Sequence, residues 1–264
     1  MMRPYASGWW KRSKKKCRTG SAQPGWRRPT YRPTSALLKD KREFYSRPEI
    51  TNAYDQQRFG GRSGARVGER EIELALALLP GNGKILDLAC GTGRLTRALL
   101  NEGRSVVALD YSTPMAVKTA SSGASTVIAD AFSTPFPSAS FQAVVSLRFA
   151  FHCPDLRPLL REMQRLAVAG GHLVFDTYSW SPRANWAIAP GQWGSRVYRH
   201  SPSSIHSLAD QMGLTVEQAE PCFLFSPYLY RLVPFPVEQA FEALENHVPA
   251  SWMCRVFWKL RSGS

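Results

Sequence analysis

Short apolar runs alternate with amphipathic stretches along the middle of the chain, and this alternation predicts strand–helix units. Lys84–Ala89 (KILDLA), Ser105–Leu109 (SVVAL), Ser125–Ala129 (STVIA), Phe141–Leu147 (FQAVVSL) and His172–Thr177 (HLVFDT) are almost continuously apolar. Strands buried on both faces of a parallel sheet read this way. Between them come helical stretches. Arg94–Glu102 is closed by Gly103, another helix opens at Thr113-Pro114 with proline in its first turn, and Leu156–Val168 runs to Gly170-Gly171. Upstream, Glu69, Arg70, Glu71 and Glu73 flank Ile72, Leu74, Leu76 and Leu79, a helical pattern that Pro80-Gly81 stops. Downstream the pattern is looser, with a helix over Ser204–Met212, a strand over Leu214–Ala219 and a helix over Val237–Glu245. Trp252–Leu260 (WMCRVFWKL) admits a basic, aromatic membrane-surface helix. A strand is preferred, because Val256, Trp258 and Leu260 alternate with Phe257, Lys259 and Arg261.

Charge changes the picture at one end only. The chain has 264 residues and a formal charge of +14, which by itself suggests a nucleic-acid binder. Residues 1–40 carry eleven Lys or Arg against Asp40 alone, so +10 sits there and +4 remains for residues 41–264. That first segment mixes basic residues with Pro, Gly and Ser without periodicity and is expected to be disordered. Its composition also admits an organelle-targeting peptide, although the prolines disfavour an amphipathic helix. It lacks the apolar stretch of a secretory signal, and no run is long enough to span a membrane. The five cysteines (Cys17, Cys90, Cys153, Cys222, Cys254) form no C-x-x-C pair. They are expected to be reduced thiols of a cytoplasmic protein with no metal site. Residues 178–200, rich in Trp, Pro and Arg, read as an insertion.

The chemistry is expected at strand ends. In a doubly wound sheet, ligands lie beyond the carboxyl ends of the strands, near the point where the strand order reverses. The first strand ends in Asp87-Leu88-Ala89-Cys90-Gly91-Thr92-Gly93, where small residues permit close backbone approach to a ligand. Thr96 stands where a dinucleotide fingerprint needs a third glycine, and no Gly-Lys-Ser/Thr of a phosphate loop is present. Asp110 ends the second strand and can accept both hydroxyls of a ribose. Asp130-Ala131-Phe132 ends the third and can meet an adenine amino group. The set is nucleoside-shaped and has no phosphate clamp.

With these residues in place, the sequence resembles the class I S-adenosylmethionine-dependent methyltransferases, particularly the group acting on small molecules and quinones. The resemblance covers about residues 45–260. It rests on Ile85–Gly93, Val107–Ser112, Ala129–Phe132 with Pro135-Phe136-Pro137 and Ser140-Phe141, and Arg161–Leu166 before Gly170-Gly171. It implies a Rossmann-like, doubly wound, seven-stranded α/β sheet, mostly parallel, with an antiparallel last strand and helices on both faces. Residues 41–80 would be an N-terminal helical cap, 81–177 a cofactor-binding core, and 178–264 the insertion and C-terminal strands. The implied cofactor is S-adenosyl-L-methionine. Asp87, Ala89, Gly91 and Gly93 would shape the methionine site, and Asp110 would hold the ribose. Tyr111 and Met115 would flank the adenine that Asp130, Ala131 and Phe132 recognise, with Leu147, Tyr54 and Arg58 adjoining. Two positions depart from the family: Ala89 replaces the commoner glycine, a change expected to be tolerated, and Gln142 replaces a frequent Asp.

The methyl acceptor is expected to be small and apolar or aromatic, reached by in-line transfer. Candidates after the fourth and fifth strands are Arg148, His152, Asp176 and Tyr178, with His152 and Tyr178 the foremost for catalysis. Arg148 suits an acidic substrate or the cofactor carboxylate. Tyr45, Tyr54, Asp55 and Arg58 lie in the expected cover, Tyr54 and Arg58 one helical turn apart. Gly60-Gly61-Arg62-Ser63-Gly64 reads as a hinge or lid loop, or else as an RGG-like RNA contact. Trp180, Trp186, Trp193 and Tyr198 are candidates for an apolar pocket. One competing function is an RNA methyltransferase that uses residues 1–40 for phosphate affinity. Ser146-Leu147-Arg148-Phe149 lacks the pattern of exocyclic-amine methylases, however, and Cys153-Pro154 reverses the order of cytosine-C5 enzymes. Another is a cofactor-binding scaffold without catalysis, which the intact loop and acids disfavour.

Overall fold

The computed structural model describes residues 43–181, 197–230 and 233–263. The basic segment 1–40, Trp186 and Trp193 lie outside them. The elements run α1 (Pro48–Phe59), α2 (Gly61–Leu78), β1 (Ile85–Leu88), α3 (Arg94–Asn101), β2 (Val106–Asp110), α4 (Thr113–Ala120), β3 (Ser125–Ile128), β4 (Phe141–Ser146), α5 (Arg157–Leu166) and β5 (Ala167–Tyr178). Then follow α6 (Pro202–Gln211), β6 (Thr215–Cys222), α7 (Pro227–Tyr230), α8 (Phe235–Glu245) and β7 (Arg255–Arg261).

The strands form one seven-stranded sheet in the order β3-β2-β1-β4-β5-β7-β6. β1 pairs in parallel with β2 and β4, β2 with β3, and β4 with β5. β7 runs antiparallel to both of its neighbours, as the resemblance implies for the last strand. The chain winds outward from β1 to β3 and then reverses through β4, so the switch point lies between β1 and β4. Side chains alternate between two cores. Leu86, Leu88, Val144 and Trp258 share one with Leu159, Leu160 and Ile205 of α5 and α6. Ile85, Val145, Val174 and Phe257 share the other with Val67, Ala75 and Leu99 of α2 and α3. Phe175 and Phe257 are fully enclosed, each contributing about 1.5–3 kcal/mol by leaving water. The indole of Trp258, also buried, donates to Thr177 Oγ1 at 2.8 Å, so its polar atom is satisfied.

Two helix starts have ordinary caps. Ser112 Oγ accepts from Met115 N–H at α4, where Pro114 occupies the first turn, and Ser201 Oγ accepts from Ser204 N–H at α6. Two boundaries differ from the sequence expectation. The helix expected over Leu156–Val168 stops at Leu166, because Ala167 pairs with Phe141 at the start of β5. A register shift follows, and Gly170 takes a φ of +71°, so the glycine pair lies inside an irregular strand rather than before it. The segment Gly60–Gly64 is not a loop: α2 begins at Gly61, and only Gly60-Gly61 forms the corner with α1. Gly64 is buried, and a Cβ there would stand 2.8 Å from the Phe59 carbonyl carbon, so close packing of the two helices explains the glycine.

Candidate active site

A cleft opens beyond the carboxyl ends of β1, β2, β3 and β4, roofed by the N-terminal helices. Counted to its open mouth, with the solvent there included, it encloses about 1210 Å³ of empty space. Asp87, Ala89 and Gly91 line it from the first strand end, Asp110, Tyr111 and Met115 from the second, and Asp130, Ala131 and Phe132 from the third. Leu147 and His152 line it after β4, and Tyr54 from α1.

The turn after β1 is built by backbone geometry. Ala89, Gly91 and Gly93 have φ values of +60°, +57° and +75°. The Gly91 N–H donates to Asp110 Oδ2 at 2.8 Å, and Ser112 N–H donates to Oδ1 at 2.8 Å. Tyr111 N–H is a third backbone donor to this carboxylate, which is thereby fixed at the end of β2 facing the cleft. Burial raises the Asp110 pKa, opposed by those N–H donors. A Cβ at Gly91 would meet nothing within 4 Å, whereas one at Gly93 would strike Thr119 Oγ1 at 2.7 Å. Gly93 therefore serves the packing of the helix start, and it lies outside the cleft lining. Behind the turn, Asp87 is buried and accepts from Thr96 Oγ1 at 2.5 Å. Burial pushes its pKa up to about 7, with the Asp110 charge adding to the shift and Thr96 opposing it.

At the third strand end, Asp130 Oδ1 accepts from Phe132 N–H at 3.1 Å, and the Phe132 ring stands 5.7 Å from that of Phe149. The acids, the open side at Gly91 and these rings fit an adenosine bearing an amino-acid tail: hydroxyl acceptors at β2, an amine acceptor and flat apolar surface at β3, and close backbone at β1. The fit rests on side chains in this arrangement and needs no phosphate contact.

Other candidates fall elsewhere. Tyr178 is buried outside the cleft lining, its ring 4.7 Å from that of Phe151, and burial raises its pKa. Arg58 also lies outside the lining, with its guanidinium 6.0 Å from the Tyr54 ring centre. Phe59 enters the cleft in its place. Asp176 is fully buried, accepting from Arg255 Nη2 at 2.5 Å and from Arg148 N–H at 2.6 Å. Trp180 donates to the Trp252 carbonyl at 2.9 Å and Tyr198 N–H to that of Phe151, neither of them in the lining.

Sequence reasoning passed over Glu71 and Arg94, both in the cleft wall. Glu71 is buried and takes Arg94 Nη1 at 3.4 Å, Arg148 Nη1 at 2.5 Å and Arg255 Nη1. Burial works against its charge, but Arg148, Arg255 and Arg94 together outweigh it and hold the carboxyl down at about 2. A signal for Glu71 existed in the pattern: it falls on the buried stripe Gly64, Val67, Gly68, Ala75 and Leu78 of α2. A charge in such a stripe needs buried partners.

Comparison with known proteins agrees with the fold. A family model described as a methyltransferase domain matches residues 86–175. A demethylmenaquinone methyltransferase of Corynebacterium urealyticum is 34% identical over 114 residues, 43% of this chain and 49% of the relative. The chain thus spans about half the length of that relative. One from Thermus thermophilus is 29% identical over 195 residues, 65% of this chain and 86% of the relative. Among solved structures, geranyl diphosphate C-methyltransferase from Streptomyces coelicolor A3(2) superposes with a TM-score of 0.60 at 16% identity, covering 87% of this chain and 99% of that one.

Proposed function

We propose that this chain, a member of the class I S-adenosylmethionine-dependent methyltransferases, transfers a methyl group to a small, apolar or aromatic acceptor. The observation that carries the reading is the convergence of Asp110, Asp130 and the left-handed turn at Gly91 on one cleft. In this reading S-adenosyl-L-methionine, when bound, supplies an electrophilic methyl group on a sulfonium. Asp110 accepts the ribose hydroxyls, Asp130 meets the adenine amine, and Ala131 and Phe132 cover the ring. Gly91 lets the backbone approach the methionine portion, and Asp87 behind it fixes the turn through Thr96.

The chain's further task is alignment and exclusion of water. Tyr45, Tyr54 and Phe59 close the cleft from above, and Phe149 closes it from beside β4. An acceptor that must lose a proton needs a base within reach. His152, in the turn after β4, is the histidine of the lining among the described residues, and we assign that role to it. The relatives' names concern quinone and geranyl diphosphate acceptors, which supports a small apolar substrate here. No helix among the described residues is long and apolar enough to cross a membrane. A cytoplasmic setting is part of the proposal.

A second reading, methylation of RNA, is favoured by one observation, the +10 concentrated in residues 1–40. One experiment separates the two. The protein is incubated with cofactor labelled in the methyl group and with cell-extract fractions of RNA, protein, lipid and small molecules. Label in the small-molecule or lipid fraction supports the first reading. Salt-sensitive label in RNA, lost when residues 1–40 are removed, replaces it with the second. No transfer to any fraction overturns both.

A further inference from the structure

The wall of the cleft on the β4 side holds an unbalanced buried charge. Arg94, Arg148 and Arg255 converge on Glu71, and Arg255 also pairs with Asp176. Three guanidiniums thus face two carboxylates, leaving one positive charge in surplus where water screens it poorly. Arg255 and Asp176 are sealed behind the wall, each 0% exposed, while Glu71, Arg94 and Arg148 reach the cleft. Glu71 already accepts from three guanidiniums. Arg148 spends Nη1 on Glu71, and its Nε is buried with no acceptor. Arg94 gives Nη1 to Glu71 and Nη2 to the Gly68 carbonyl, and lies 3.3 Å from the centre of the Phe59 ring. Burial lowers its pKa, with Glu71 opposing and the charge of Arg148 adding to the effect. Burial also works against the charge of Arg148, but there Glu71 and the groups acting with it outweigh burial and raise the pKa, so this guanidinium stays charged.

Resting on the methyltransferase reading, we propose that the acceptor is an aromatic carboxylate whose anionic group is received by Arg148, with Arg94 behind it. Topology puts this wall on the acceptor's side. Asp110 on β2 and Asp130 on β3 take the nucleoside to one flank of β1, and Arg148 follows β4 on the other flank. A carboxylate matches the forked donors of a guanidinium and keeps its charge at neutral pH. Phe59, 5.2 Å from the Arg148 guanidinium, and the Tyr45, Tyr54 and Phe149 rings supply flat apolar surface for the rest of the molecule. A neutral hydrocarbon leaves the buried Arg148 Nε without an acceptor; an aromatic acid supplies one.

The test uses the full chain saturated with S-adenosylhomocysteine, titrated calorimetrically with benzoate and 2-naphthoate and with the corresponding amides. At least one carboxylate is expected to bind ten times or more tightly than its amide. Arg148→Gln should abolish that preference and Arg148→Lys retain part of it, with S-adenosylhomocysteine affinity unchanged within about twofold in both variants, which also reports intact folding. Equal binding of acid and amide, or failure of every carboxylate to bind, overturns the proposal and leaves the methyltransferase reading standing. So does an Arg148→Gln variant that loses S-adenosylhomocysteine but keeps 5′-methylthioadenosine, which lacks the carboxylate, because the arginine then holds the cofactor's own acid. If the unaltered protein fails to bind S-adenosylhomocysteine at all, both readings fall together.

Discussion

Asp55 fastens the roof of the cleft to its floor: Oδ1 accepts from Thr92 Oγ1 at 2.6 Å, within the glycine turn itself. Its other oxygen meets Lys118 Nζ on α4 at 2.9 Å. A second tie, Ser112 Oγ donating to the Tyr45 carbonyl at 2.7 Å, holds the start of the same cover. The bonds from Asp55 are half-exposed, worth about 1 kcal/mol together. Asp55→Ala should therefore speed dissociation of S-adenosylhomocysteine about fivefold, as measured by surface plasmon resonance. An unchanged off-rate means that the cover does not move on that path.

Asp110 accepts backbone N–H groups of Gly91, Ser112 and Tyr111, and in the proposed reading it also takes the ribose hydroxyls. Hydrogen bonds to a charged acceptor are worth about 1.5–3 kcal/mol each, so Asp110→Ala should weaken S-adenosylhomocysteine about 100-fold or more. Calorimetric titration checks this. Retained affinity removes the ribose from Asp110.

Asp87 gives a pH dependence with a definite sign. Its folded pKa of about 7 lies above the ordinary 3.8, so its contribution to stability is complete below about pH 4 and is lost as pH rises through 7. Burial keeps His172 and His200 below the ordinary imidazole range, and they act in the opposite direction. The useful quantity is therefore a difference. Between pH 8 and 5 the Tm of the unliganded protein should gain relative to Asp87→Asn as pH falls. Parallel curves for the two proteins exclude a raised pKa at Asp87.

The legible and illegible parts of the cleft divide along physical lines. Strand ends could be read because the apolar runs stop abruptly at Asp87-Leu88-Ala89, Asp110 and Asp130, and each stop is local in sequence. The partners of Glu71 could not be read, because Arg94, Arg148 and Arg255 come from α3, the turn after β4, and β7. Only the sheet order brings them together. Gly60–Gly64 looked like a loop because glycine is a turn residue, yet at Gly64 it answers a close helix contact. The terminal stretch WMCRVFWKL was ambiguous for a related reason. As β7 it is covered on both faces: Val256, Trp258 and Leu260 enter one core, Phe257 enters the other, and Arg255 is buried among ion pairs.

Ala89 carries the family departure into a strained conformation. Size alone makes alanine an acceptable substitute for glycine, but a φ of +60° is one that a Cβ disfavours. That strain costs about 1–2 kcal/mol, partly offset by alanine's smaller entropy loss on folding. Ala89→Gly should gain about 0.5–1 kcal/mol and raise Tm by about 2–3 °C in scanning calorimetry. A lower Tm means that the turn relaxes around alanine.

Arg255 offers the sharpest test of the buried cluster, because it is fully enclosed and bonds both Glu71 and Asp176. Arg255→Met leaves Asp176 buried with only the Arg148 N–H and takes from Glu71 one of three cations. Breaking a buried pair by removing one partner costs about 3–5 kcal/mol, because the remaining charge is stranded. Asp176→Asn removes that stranded charge while its amide oxygen still accepts from Arg148 N–H. The double variant Arg255→Met/Asp176→Asn should therefore be more stable than Arg255→Met alone, although a second native residue has been lost. It also keeps Arg94 and Arg148 against Glu71, so the surplus of one positive charge beside the cleft is preserved. Urea denaturation of the wild type, both single variants and the double variant measures the coupling. If the two losses simply add, the cluster is a set of independent contacts, and its charge balance does not govern the fold.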